Sequence, residues 1–570
     1  MPKLHRIAIL SAVLAVCSFL VGVWGFGILE PNAPYLNNVY QALRLFPLEG
    51  PIQIHSLPWQ LETARFVAPF SLLLGIVATI FHVSRDLLNS FLLKLLRGHV
   101  VIAGLNEISA DFAIDAIATG HKVVVIGNDP DSPWLYDLKA RGAVHLMGDF
   151  TDTHSLERAR VSRASRFFAF SEDDAQNVEA VMTLSDLLKQ ATHRATKLDK
   201  PLRCYTLHQD PTFHQAFREH SLLNTTPDAM DISLVNLDAL AARITLEQMP
   251  MEEDPSGNIY ENPHLVIFGY SPISMALLRQ ALHLGHYRNR KKLPVSLVTS
   301  EPDHLRLQLN QYFRQAEHIA RIEIITAEDD TPASYLQALE TSNPSPESWY
   351  TLVCASVHDK QNFTMAQYLS NHAHALPGRI HCSLPNNPGL ISLLRSRSSG
   401  RHIHSLPRPA DLATWQSIVN EPHETLARTI HNNYVALELA SEKNSADNSS
   451  LVPWGTLPEA MREQNRLQAD HLQVKLRAIG MRLDSLPDKE KLKSALIENL
   501  ELLAEIEHLR WNAVQFMAGW KYAPGKKNPD HLTHPCLVSW DELTDEIKQY
   551  DRDAVMNIPN IIYPSKDKLT

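Results

Sequence analysis

The densest chemistry in the chain lies near its end. Between positions 510 and 552, Arg510, Trp511, Trp520, Lys521, Tyr522, His534, Trp540 and Arg552 alternate aromatic faces with cationic heads, and Lys526, Lys527 and Tyr550 fall among them. Aromatic rings stack on planar bases, and guanidinium or ammonium groups bind phosphate. The set is a candidate surface for a nucleotide-like small molecule, with Trp520, Tyr522, His534 and Arg552 as preferred contacts. The plainer alternative is a small helical domain with an aromatic core and a solvated rim.

A second candidate lies at a glycine turn. The apolar run HVVIA (99–103) meets GLNEIS (104–109), then a helical stretch, Gly120 and a second run KVVVI (122–126). This is a βαβ unit with parallel strands. A GxGxxG dinucleotide fingerprint would put glycine at 104, 106 and 109. Only Gly104 remains, followed by Asn106 and Ser109. Phosphates would lie at the helix start after Gly104, where free N–H groups and the helix dipole attract anions. Asn106 would donate a hydrogen bond there, and Ser109 is small enough to keep the helix close to the sheet. A ribose-binding acid is expected about 20 residues on. Gly127 stands there instead, so the first acid, Asp129, becomes the ribose candidate, and GDFTD (148–152) adds Gly148 and Asp149.

The cofactor candidates are therefore NAD(H) or another nucleotide. No metal is expected: His372/His374 and His402/His404 have HxH spacing, but CxxC and HExxH are absent. GxSxG and the Walker loop are also missing, so no catalytic residue is assigned and the chain reads as a non-enzyme.

These candidates sit on elements that repeat. HLVIF (264–268) is followed by GYSPIS (269–274); VSLVTSEPDH (295–304) parallels VVVIGNDPDS (123–132). WYTLVCASVHDKQN (349–362) parallels RFFAFSEDDAQN (166–177), and RIHCSLPNNP (379–388) parallels LRCYTLHQDP (202–211). Four matched segments in one order indicate an internal duplication. A second repeat follows: LARTIHNNY (426–434) parallels LAEIEHLRW (503–511), and VPWGTLPEAMREQNR (452–466) parallels VSWDELTDEIKQYDR (538–552). The polar SEKNSADNSS (441–450) reads as a linker.

The chain begins differently. Residues 7–29 and 66–84 carry no charged side chain. Each is long enough, at about 1.5 Å per residue, to cross a hydrocarbon layer of about 30 Å. Lys3 and Arg6 precede the first run; Arg85, Lys94 and Arg97 follow the second. Basic flanks on both place both ends in the cytoplasm of a cell-membrane protein, with the loop 30–65 outside. The lipid bilayer is thus one expected partner. The 570 residues hold 53 Lys plus Arg against 63 Asp plus Glu, a net charge of −10. That balance speaks against a nucleic-acid partner. A mean hydropathy of −0.18 keeps the membrane part small. The five cysteines form no CxxC pair, which suits reduced thiols.

With AGLNEIS, VVVIGNDP, GDFTD and SEDDAQN, the first copy resembles the TrkA-N or RCK regulatory domains of bacterial potassium transporters and channels over 98–235; a weaker echo covers 263–400. The resemblance implies a nucleotide at the glycine turn, paired lobes that move a pore, and a homo-oligomer. The series LAEIEHLRW…GWKY…HPCLVSWDEL…YDRD looks like the RyR domain of ryanodine receptors over 495–562, with 420–470 a degenerate relative. Bacterial chains that join such a hairpin to TrkA-N and RyR units are suspected sensors of nucleotide-like signals, some linked to antiviral defence; that too is implied by the resemblance.

The expected architecture is α/β: two tandem Rossmann-like (RCK/TrkA-N) units after a two-helix transmembrane hairpin, with an α-helical RyR-like carboxy-terminal region. The expected boundaries are 1–97 for the hairpin and connecting helix, 98–250 and 263–410 for the Rossmann-like units, 420–480 for a degenerate RyR-like unit and 490–565 for the RyR domain. The expected function is ligand sensing by a membrane-anchored cytoplasmic regulator. One alternative is a ligand-gated channel or potassium-transport subunit, although YQALRLFPLEGPIQIHSLPWQ between the spans holds no TVGYG-type filter. The other is an NAD(P)-linked enzyme, for which no catalytic acid or nucleophile is found beside the turn.

Overall fold

The computed structural model describes residues 2–49, 57–193, 201–210, 230–395, 402–420, 422–440 and 450–563. Most of the polar linker, 441–449, lies outside them. The chain forms two compact units, Met1–Arg97 and Gly98–Thr570.

The first unit holds two long helices, Pro2–Leu29 and Trp59–Leu95, with a shorter one, Tyr35–Arg44, between them. Ile9–Leu29 and Trp59–Val77 are long and apolar enough to span a membrane. Ile9, Val13, Val16, Leu20 and Trp24 lie exposed at helical spacing, as do Phe66, Phe70, Leu73 and Val77. Such stripes are costly in water and suit lipid. The opposite faces pack through small residues. A Cβ on Gly25 would stand 2.7 Å from Leu61 Cγ, and the Ser11 and Ser18 hydroxyls donate to the Ser71 and Ala64 carbonyls at 2.8 and 3.2 Å. Close approach and interhelical hydrogen bonds are the usual glue between helices in lipid. Two details differ from expectation. The stretch between the apolar runs is partly helical, and the second helix already starts at Trp59, where the Pro58 carbonyl accepts from Leu61 and Glu62.

Among its described residues, the second unit carries two six-stranded sheets. Strands β1 (Val100–Ala103), β2 (Val123–Gly127), β3 (Val144–Met147), β4 (Arg166–Ala169), β5 (Leu202–Leu207) and β6 (Met230–Val235) form the first. Strands β7 (Pro263–Phe268), β8 (Leu293–Thr299), β9 (Ala320–Thr326), β10 (Trp349–Cys354), β11 (Gly378–Cys382) and β12 (Ile403–Ser405) form the second. Their orders are β3-β2-β1-β4-β5-β6 and β12-β11-β10-β7-β8-β9, with parallel pairing throughout. The second order, read from the other edge, repeats the first strand for strand. This is the doubly wound Rossmann topology twice over. Continuous Val/Ile/Leu/Phe runs build the central strands because both faces are covered by helices. One core joins the halves: Trp415, beyond the second sheet, stacks on Phe112 and His121 of the first, and its backbone N–H donates to the Asp115 carboxylate at 2.6 Å.

The remainder is mainly helical: Pro422–Ala440, Glu459–Asp470, Leu472–Ala478, Lys489–Glu498, Leu500–Met517 and Asp545–Met556. A two-strand ribbon, β13 (Lys521–Tyr522) with β14 (Thr533–His534), sets Tyr522 beside His534.

Candidate functional site

Among the described residues, three places are candidates for a ligand. The first is the glycine turn after β1. Gly104 has φ +99°, and a Cβ there would lie 2.9 Å from the Ser171 nitrogen, so only glycine fits. Asn106 caps the helix Glu107–Ala118. Its Oδ1 accepts from Ser109 N at 2.8 Å, and the Ser109 hydroxyl accepts from Asn106 N at 2.9 Å. The Asn106 amide donates to the Phe170 carbonyl at 2.7 Å. Both ends of this side chain are therefore engaged by the protein itself. A Cβ on Gly127 would stand 2.9 Å from Leu105 Cβ, which accounts for the missing ribose acid: the leucine of the turn fills its place. Asp129 is exposed and accepts from Asp131 N at 2.9 Å; Asp149 is exposed and holds Thr151 through N and Oγ1 at 2.9 and 2.7 Å. Gly148 ends β3 against Ser155. Both acids stabilise their own loops, as Asx turns do.

The second Rossmann unit repeats this construction. Gly269 has φ +86°, with Ser356 2.8 Å from where a Cβ would be. Ser271 and Ser274 form the same reciprocal cap, and the Ser271 hydroxyl donates to the Ala355 carbonyl at 2.6 Å. The shared SxxDxxN motif is a stitch between strand ends. Asn177 accepts from Ser171 N at 2.8 Å and donates to the Ser171 and Leu207 carbonyls at 2.8 and 3.0 Å. Asn362 does the same with Ser356 and Ser383, at 2.6, 2.9 and 3.0 Å. Asp174 accepts from the amides of Gln209 and Asp210, and Asp359 from that of Asn386.

The second place is the aromatic face near the chain end. Trp511 and Trp520 meet His534 edge-on, at centroid distances of 4.9 and 6.1 Å, and Lys527 Nζ lies 5.1 Å over the Trp520 ring. Burial pushes His534 down to about 4, and its Nδ1 accepts from Cys536 N at 3.1 Å, so the ring is neutral. Tyr522 is 53% exposed and Lys521 is exposed beside it. Trp540 packs on His508 with Lys548 over its ring. Two of the expected cations are engaged elsewhere. Arg510 is buried and chelates Glu507 at 2.7 and 3.0 Å, with Lys475 on the same carboxylate at 2.5 Å. Together they hold the Glu507 carboxyl down at about 2 despite its burial. Arg552 chelates Glu501 at 2.7 and 3.0 Å.

The helical repeat is exact in these contacts. Arg466 binds Glu424 and Glu459 as Arg552 binds Glu501 and Asp545, and His431 meets the Val452 carbonyl as His508 meets that of Val538. Glu424 and Glu501 were missed from sequence; they stand two residues before the matched segments, where extending the alignment would have found them.

The third place, also missed, is a cavity of about 680 Å³. Its walls come from β5 and β6, the helices Leu237–Gln248, Pro272–Leu284 and Pro302–Tyr312, residues 417–419, Glu424, Arg428, Glu463, Arg466, Leu467, Met517 and Ala518. None of the residues proposed from the sequence as ligand contacts lines it, although the repeat segments 202–211, 269–274, 426–434 and 452–466 each contribute to its wall. Tyr270, the residue after Gly269, is among these contributions.

Comparison with known proteins identifies two domains. Residues 100–207 match the TrkA-N domain and residues 488–563 the RyR domain. No curated protein sequence matches significantly. Among solved structures, the GsuK channel bound to NAD is 14% identical at a TM-score of 0.37, covering 76% of this chain and 90% of that one. GsuK bound to ADP is 17% identical at 0.35, covering 71% and 94%. Leucoanthocyanidin reductase with NADPH from Vitis vinifera is 11% identical at 0.22, covering 56% and 100%. At those scores the likenesses bear on neither ligand nor assembly.

Proposed function

We propose that this chain, which carries a TrkA-N domain and a RyR domain behind two apolar helices, is a membrane-anchored regulator that senses a nucleotide-type small molecule in the cytoplasm. The observation that carries the proposal is the aromatic face of the RyR domain. Trp520 offers a ring with Lys527 above it, and Tyr522 stands exposed nearby. This is the pairing of π-face and cation that a base with a phosphate needs.

The basic flanks of the apolar runs support cytoplasmic ends. Helix Trp59–Leu95 leads within a few residues into β1, the central strand of the first sheet. A ligand that favours one packing of the second unit would act on the spans through that connection, provided its affinity differs between two states. Homo-oligomers and a role beside potassium transport follow from the same domain set. Regulation rather than turnover suits turns whose polar side chains are engaged by their own backbone.

The test is tryptophan fluorescence of the full-length protein in detergent, titrated with ADP, ATP and NAD. Saturable quenching by one of them is expected, weakened at least tenfold by Trp520→Ala. Quenching by none of the three, or an unchanged midpoint in the variant, would count against the proposal.

A further inference from the structure

The cavity is lined by none of the aromatic residues of the RyR face and by no residue of the turn after β1, although Met517 and Ala518 of the RyR domain contribute to its wall. His283 is buried, and its Nδ1 has no hydrogen-bond partner. Arg428 also lines the cavity; its buried Nε has no partner, while its terminal nitrogen meets Glu424 at 3.6 Å and the guanidinium lies 5.8 Å from the Trp454 ring. Asp238, in the first turn of Leu237–Gln248, is half-buried, and that burial pushes its carboxyl up to about 6. Buried polar groups are normally satisfied, and each exception calls for an explanation. Arg203, Arg279, Arg428 and the Asp238 carboxylate border one hollow, with Tyr270 and Tyr312 beside them. A hollow of about 300–1,000 Å³ is the usual size for a small-molecule site.

We propose that this cavity is a second ligand site and that it takes a nucleoside phosphate. The phosphate would accept from Arg428, with Arg279 also in the wall; hydroxyl or amino groups of the nucleoside would donate to Asp238; and the base would lie against Tyr270. Tyr270 occupies, in the second Rossmann unit, the position that Leu105 occupies in the first, so the duplicated turn has been turned outward to serve a different hollow. Because helices of both Rossmann units, residues 417–419, Glu424, Arg428, residues 463–467 and the end of helix Leu500–Met517 all contribute, one bound molecule would bridge the two Rossmann units and the helical region.

The test uses full-length protein in detergent and calorimetry with ADP, in a Trp520→Ala background that weakens the RyR face. ADP binding is expected to persist there. Asp238→Asn, which keeps the side chain's shape, should weaken it about tenfold, and Ala276→Trp, which fills the hollow, should remove it. Adenosine and inorganic phosphate should each bind at least tenfold more weakly than ADP. ADP binding that ignores both cavity variants but vanishes with Trp520→Ala would overturn this inference and leave the sensor proposal standing. No ADP binding in the Trp520→Ala background would also overturn it.

Discussion

The two Rossmann units are alike where they are repeated and different where they meet a hollow. Both carry the strand order 3-2-1-4-5-6, a lone glycine at positive φ, a reciprocal cap on the next helix and a buried asparagine that ties three backbone groups. The motifs that betray the duplication thus encode loop construction. The copies part at the residue after the glycine. Leu105 closes over Gly127, whereas Tyr270 lines the cavity. Ligand capacity has to be sought where duplicates differ, because what they share is already accounted for by folding.

The helical repeat gives the sharpest contrast. Arg466 and Arg552 make equivalent ion pairs, but Arg466 is buried among Glu424, Glu459 and Glu463, and Arg552 faces an exposed Glu501. Removing one partner from a buried cluster costs about 3–5 kcal/mol; an exposed pair contributes about 1 kcal/mol or less. Thermal unfolding should therefore show a large loss for Arg466→Ala and almost none for Arg552→Ala. Equal losses would break the comparison.

Next in size is the asparagine stitch. Asn177→Ala and Asn362→Ala each leave a buried amide and two carbonyls without their partner, at about 3 kcal/mol. Their melting temperatures should fall by similar amounts. A loss confined to one copy would show that the sheets are not built by the same device.

The smallest expected effect is a pH dependence at Asp238. Its carboxyl is raised to about 6 in the folded protein, against an ordinary value near 3.8. The folded state then holds the proton more tightly than the unfolded one, so stability is highest below the ordinary value and falls as pH rises toward 6. Asp238→Asn removes this loss. It should raise the melting temperature at pH 7.5 and change it little at pH 4. Equal shifts at both pH values would exclude the carboxylate as the cause.

Much of this architecture could be read from local pattern. HVVIA and HLVIF are buried on both faces, and that alone makes them continuous apolar runs. The matched segments carried the duplication, and the two uncharged runs carried the hairpin. The details that escaped depend on distance along the chain. Asn106 looked like a phosphate donor because the partner that engages it, Phe170, is 64 residues away. Arg510 looked available because its clustering with aromatics is a local fact, while its burial beside Lys475 is not. The cavity has no motif at all, since its wall is assembled from β5, β6 and several distant helices, and spacing within any one of them is ordinary helix or strand.

The reciprocal cap at each turn has a kinetic as well as a structural meaning. The Asn106 carboxamide is a tethered occupant of its helix end, present at the high effective concentration that covalent linkage confers. A free anion arriving there competes with a group that never diffuses away. A ligand that binds at the turn has to displace or share that cap, so the cap sets the threshold an anion must pass there.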